Sequence, residues 1–184
     1  MHSRLVELFG YVDQEHTDLK ATVTGIPAPH LLESPGLDRW SVAEVLEHLV
    51  LTERSVARLL NKLLTDAVTN GLGPETDTRP ILAAIDTRRF TDRSIRAVSP
   101  DALRPAGTLR PPAVLTALDQ ARIELGAAAE IGSGHALGEI IRPHPYLGPL
   151  NAYEWIAFVG AHLARHNDQI RETARLVSRH VSLE

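Results

Sequence analysis

Residues 151–170 read NAYEWIAFVGAHLARHNDQI, and their periodicity decides the fold. Asn151 with Glu154 three positions later is the pattern of a capped helix start. Apolar side chains then recur at helical spacing. With His162 set at zero and ~100° per residue, Trp155 lies at about 20°, Val159 at about 60°, Ile170 at about 80° and Leu163 at about 100°. Val177 extends the same stripe, and the helix is expected to run to about Arg179. One face of this long helix is therefore apolar and must be buried against other elements.

Working outward, the chain repeats that pattern three more times. Ser41-Val42-Ala43-Glu44 is a capping box, with Trp40 and Val45 spaced as a hydrophobic staple. Leu46, Leu49, Val56, Leu60 and Leu63 continue this helix until Asn70-Gly71. Before it, Ser3 to Val23 carries Leu5, Leu8, Phe9, Val12 and Leu19 on one side, and Pro27, Pro29, Pro35 and Gly36 form a loop. A further helix starts at Pro111-Pro112 and runs to about Ile131, where Gly132-Ser133-Gly134 stops it. Between Gly71 and Arg110 regularity is lost. This segment reads as a long crossover covering one end of the core, with a short helix at Ile81 to Ile85. Residues 142–149 are too proline-rich for a helix or a central strand. Four amphipathic helices with long connections predict an all-α fold, a four-helix bundle forming one domain over residues 1–184.

Chemistry concentrates on the last helix. His166 lies at about 40° on the same scale, so His162 and His166 share the apolar stripe one turn apart. A buried imidazole must keep its nitrogens hydrogen-bonded or coordinated. One such histidine is ordinarily a satisfied core residue. Two at this spacing on a buried face are economically explained by a shared metal ion, with mutual hydrogen bonding as the alternative. His48, at the border of the second helix's stripe, reads alone as a packing residue; beside His162 and His166 it completes a three-imidazole set. Neutral imidazoles suit zinc, nickel, copper or iron, and three protein ligands leave positions open.

The remaining histidines rank lower. His2 and His180 are near the termini, His30 and His135 fall in loops, and His16 falls off the first helix's main apolar line. His144, between two prolines, reads first as a loop hydrogen bond shaping the turn, and second as a residue near the bundle's open end. Glu44 is occupied by the cap, Glu47 reads as solvated, and Arg165, Arg171, Arg175 and Arg179 read as an exposed face. Glu-x-x-His pairs, His-Glu-x-x-His and phosphate- or nucleotide-binding glycine motifs are missing from the sequence.

Composition narrows the classes. The 184 residues are 43% apolar and 23% charged, with 19 basic and 23 acidic side chains and a net charge of −4. That balance fits a globular chain and offers no bulk drive toward nucleic acid or an anionic membrane. No cysteine is present, which excludes disulfides, thiolate metal sites and cysteine nucleophiles from this chain. No segment approaches the ~18 apolar residues of a membrane span, and no signal peptide is evident. The expected compartment is the cytoplasm.

Three pieces of the chain resemble the DinB-like superfamily, also called the DinB/YfiT-like metal-dependent hydrolases. They are Trp40-Ser41-Val42-Ala43-Glu44-Val45-Leu46-Glu47-His48-Leu49, the run His144-Pro145-Tyr146-Leu147-Gly148-Pro149-Leu150, and His162-Leu163-Ala164-Arg165-His166-Asn167-Asp168-Gln169-Ile170. The resemblance implies an up-down-down-up bundle with a long crossover between helices 2 and 3. It places metal ligands at His48, His162 and His166, binding zinc or nickel, and implies a homodimer. Characterised relatives include thiol-dependent S-transferases and a mycothiol-dependent isomerase, so a low-molecular-weight thiol becomes a candidate cofactor. Two functions follow as expectations. The first is a metal-dependent enzyme carrying out thiol-dependent S-transfer or hydrolysis on a small-molecule substrate. The second is a non-catalytic, stress-associated binding or scaffold protein with a structural or vacant histidine site.

Overall fold

The two capping motifs start the two longest helices of the chain, in a computed structural model that describes residues 1–92 and 98–181. In order, the elements are α1 (Ser3–Thr24), α2 (Val42–Thr69), a single-turn α3 (Arg88–Thr91), α4 (Ala113–Glu130), strands β1 (Ile141–His144) and β2 (Gly148–Asn151), and α5 (Ala152–Val181). At the head of α2, the Ser41 hydroxyl accepts the Glu44 N–H at 3.3 Å and the Glu44 carboxylate accepts the Ser41 N–H at 2.8 Å. Asn151 and Glu154 make the same reciprocal pair before α5, at 3.0 and 2.8 Å. Each box satisfies two of the amides that a helix start otherwise leaves without partners. Trp40, read as a staple onto Val45, places its ring 5.1 Å from that of His48.

Cross-helix neighbours fix the direction of each rod. Arg4 lies over Tyr153, and Gly160 abuts Tyr11, so α1 and α5 are parallel. Arg54 pairs with Glu124, and Gly132, just past α4, touches Leu64, so α2 and α4 are parallel. Asp13 pairs with Arg122 and Lys20 with Asp119, which sets α1 antiparallel to α4. The topology is up-down-down-up, a four-helix bundle as expected. Its core is built from the predicted stripes, including Leu5, Leu8, Val12, Val45, Leu60, Leu118, Leu125, Ile156 and Ile170, all with no exposed surface.

This topology requires the long crossover. Two consecutive parallel helices can be joined only by a chain that travels back the length of the first, roughly 40 Å at ~1.5 Å per residue for α2. The segment leaves α2, bridges at Pro74 to His135, and is held by Arg4, Tyr153 and Glu7, which engage Glu75, Glu75 and the Ile81 N–H respectively. The short helix expected at Ile81 to Ile85 is a 3₁₀ turn, Leu82–Ala84. The crossover packs against both α5 and α2. It passes along α5 through α3 and returns beside α2 through residues 98–108, while residues 93–97 lie outside the described residues.

Residues 142–149, read as too proline-rich for a helix or a central strand, fall in an antiparallel hairpin with Pro143 opposite Pro149 and His144 opposite Gly148. Antiparallel ladders alternate between pairs that exchange N–H groups and pairs that do not. Two prolines facing each other occupy a pair that needs no donor, so a two-stranded ribbon tolerates what a central strand would not. Among the described residues no helix is long and apolar enough to cross a membrane.

Candidate functional site

His48 lies in the second turn of α2, and His162 and His166 lie on successive turns of α5. The helix faces that bury Val45, Leu49, Val159 and Ile170 bring the three rings together. Ring centroids are 5.2 Å apart for His48 and His162, 5.0 Å for His48 and His166, and 4.4 Å for His162 and His166. One potential ligand nitrogen from each ring lies within 4.8 Å of the other two. His48 and His166 are buried; His162 is partly open to the adjoining cavity.

The hydrogen bonds around the trio set its chemistry. His48 donates from Nδ1 to the Leu103 carbonyl at 2.8 Å, and His166 Nδ1 lies 2.7 Å from Gln169 Oε1. Each contact places the ring proton on Nδ1 and makes Nε2 the acceptor nitrogen, as metal-binding imidazoles require. The Nε2 atoms of His162 and His166 are 3.1 Å apart. Two lone pairs at that distance repel unless a proton or cation lies between them. Two nitrogens bound ~2.05 Å from one ion across a tetrahedral angle would be ~3.3 Å apart, so the donor set fits a small divalent ion.

Burial holds the His162 pKa well below its ordinary value, with the His166 and His48 imidazoles and the Arg165 guanidinium adding to the effect. Burial also pushes His48 down, against the partial pull of its bond to Leu103. Both shifts favour the neutral, ligating form.

Beside the trio lies a cavity of about 460 Å³. Trp40, Val56, Leu59, Phe90, Leu147, Trp155 and Phe158 supply apolar walls, and the crossover closes one side with Val98, Ser99, Pro100, Ala102 and Leu103. His144 also lines it. Its Nδ1 accepts the Tyr146 N–H at 3.2 Å, so it shapes the turn as expected while facing the cavity. Burial pushes its pKa down to about 4.

Three assignments of the sequence reading need correction. Glu47, expected in solvent, is 3% exposed and accepts hydrogen bonds from the Gly107 N–H at 2.8 Å and the Thr108 hydroxyl at 2.7 Å. The returning crossover covers it and gives its charge partners. His16, placed off the apolar line, in fact lies on it, four residues after Val12 and three before Leu19, and is buried with Nε2 3.0 Å from a Glu53 oxygen. Arg165 is not on the exposed face; it lines the cavity and donates to the Asp92 carbonyl. Arg171, Arg175 and Arg179 are exposed as read. The sequence reading also missed Gln169 and Leu103. Gln169 stands three residues after His166, the spacing of a same-face neighbour, and could have been found. The Leu103 contribution is a backbone carbonyl and leaves no side-chain signature.

Comparison with known proteins agrees with this architecture. The chain is 27% identical over 156 residues to the protein YuaE of Bacillus subtilis (strain 168), described as uncharacterized, covering 84% of this chain and 90% of that protein. It superposes on a crystal structure described as TT2238, a four-helix bundle protein, with a TM-score of 0.61 at 20% identity, covering 90% of this chain and 97% of that one. The family model of the DinB superfamily matches residues 11–170, a span that contains all three helix-borne histidines of the site. With the match extending over most of its length, this chain belongs to the DinB superfamily.

Proposed function

We propose that the chain is a metal-dependent enzyme in which His48, His162 and His166 hold one divalent ion, zinc or nickel, beside a chamber for a small-molecule substrate. The observation that carries this reading is the convergence of three imidazole nitrogens within 4.8 Å of one another at the wall of a cavity of about 460 Å³. A divalent ion there would lower the pKa of a coordinated water or thiol and supply a nucleophile near neutral pH. Thiol-dependent S-transfer and hydrolysis are the two reactions that such a nucleophile serves.

The chain's own residues account for the rest. Leu103 and Gln169 hold the His48 and His166 rings in orientation. The aromatic walls exclude bulk water and bury an apolar substrate body. Three protein ligands leave coordination positions for an exchangeable group. Assembly as a homodimer without nucleic acid belongs to the same reading.

Elemental analysis of protein purified without a histidine tag is expected to give about one divalent ion per chain. His162→Ala should lose it while the helical circular dichroism persists; unchanged metal content in that variant defeats the assignment. A cobalt-substituted sample should change its visible spectrum when a thiol or azide is added. A spectrum insensitive to both would mark a closed, structural site and favour a binding or scaffold protein.

A further inference from the structure

The ring of His144 on the cavity wall is not used by the metal-site reading. His144 is held by the hairpin, and its Nδ1 is occupied as the acceptor of the Tyr146 N–H. The single proton of the neutral ring is therefore on Nε2. Burial keeps the ring neutral at ordinary pH. No described residue accepts a hydrogen bond from Nε2.

The ring's position is set by α5. Its centroid lies 5.2 Å from Trp155 and 4.8 Å from Phe158, and Phe158 lies 5.2 Å from His162. The free N–H thus sits one aromatic ring away from the metal-binding trio on the same cavity wall. The charges of the cavity's two arginines are directed to the protein: Arg89 pairs with Glu154 at 2.8 Å, although its Nε has no partner, and Arg165 donates to the Asp92 carbonyl. The chamber offers a ligand a large apolar surface and few uncharged donors: the Thr52 and Ser55 hydroxyls on α2 and, across from them on the hairpin, the directional His144 Nε2–H.

We propose that the cavity takes an uncharged small molecule with an aromatic or aliphatic body and a carbonyl oxygen, and that His144 Nε2–H binds that oxygen while the molecule extends toward His162. This rests on the reading of the cavity as a substrate chamber, but the contact itself needs no metal. A largely apolar pocket with few polar groups recognises a ligand by pairing them, and a ligand lacking the partner for His144 leaves that N–H desolvated and unpaired.

The test compares 2-acetylnaphthalene with its hydrocarbon counterpart 2-isopropylnaphthalene by calorimetric titration of the full chain, both metal-loaded and metal-stripped. The ketone should bind about tenfold more tightly than the hydrocarbon in both forms. His144→Phe, which keeps a ring against Trp155 and Phe158, should reduce the preference to within about twofold, and His144→Gln, which restores a donor of similar reach, should recover part of it. Thermal melts confirm that both variants are folded. Equal affinities in the wild type overturn the proposal, as does failure of the ketone to bind. A preference that survives His144→Phe but disappears on metal removal assigns the oxygen to the ion; it overturns the role of His144 while supporting the metal site. Elemental analysis of the same samples reports on the metal reading separately.

Discussion

Gln169 does at the site what no ligand can do for itself. Its side-chain oxygen, 2.7 Å from His166 Nδ1, chooses the tautomer and holds the ring so that Nε2 faces His162. Gln169→Leu removes that acceptor while conserving bulk. Metal affinity is expected to fall about 10- to 100-fold, measured by competition with a chromophoric chelator. His144 gives a second expectation at this scale, through proton linkage. In the folded chain its pKa lies at about 4, and when unfolded it returns to the ordinary 6.5. As pH falls through this window the unfolded chain takes up the proton first, so stability is lost between about 6.5 and about 4 and the loss then levels off. Melting temperature plotted against pH should therefore be shallower across that window for His144→Phe than for the wild type. Parallel curves would mean that the imidazole charges without penalty in the folded state.

Among the elements, α1 and α5 are closely packed where Gly160 meets Tyr11. A Cβ on residue 160 would stand 2.5 Å from Tyr11 Cε1, closer than any contact that rigid packing allows. Gly160→Ala gains helix propensity but forces the ring or the helix to move, and a net loss of about 1–3 kcal/mol is expected. Tyr11→Ala in the same chain removes the obstructing ring. A double-mutant cycle in chemical denaturation should show the two changes coupled, with Gly160→Ala costing far less in the Tyr11→Ala background. Additive effects would place the cost elsewhere. The spacing matters to the site because Gly160 lies between Phe158 and His162 on the helix that brings both to the cavity wall.

For the molecule as a whole, parallel α2 and α4 impose the crossover, and the crossover makes the chamber. Its return is tied down at Glu47, one residue before His48, through the Gly107 N–H and the Thr108 hydroxyl. Glu47→Ala strands those donors and is expected to cost about 1–3 kcal/mol. Amide exchange at residues 107–108 should accelerate while metal content is retained; unchanged exchange would show that the tether does not hold the segment. Much of this plan was legible in the chain. The Ser41 and Asn151 caps, the apolar stripes and the shared face of His162 and His166 are local, since helical geometry turns sequence spacing directly into direction in space. The hairpin at 141–151 was obscured by its prolines, because pairing Pro143 with Pro149 is a property of the partner strand. Glu47 is misread for a related reason: the helix stripe marks its own rod's main face, whereas its burial comes from Gly107 and Thr108 on another segment, while His16, spaced four from Val12 and three from Leu19, was legible on its own stripe. By itself, then, the sequence determined the helices, their inward faces and two of the three clustered imidazoles as a pair. Only the tertiary structure decided that His48 joins them, that a backbone carbonyl at Leu103 orients it, and that a cavity opens alongside, because each depends on contacts between residues far apart in the chain, which no local period encodes.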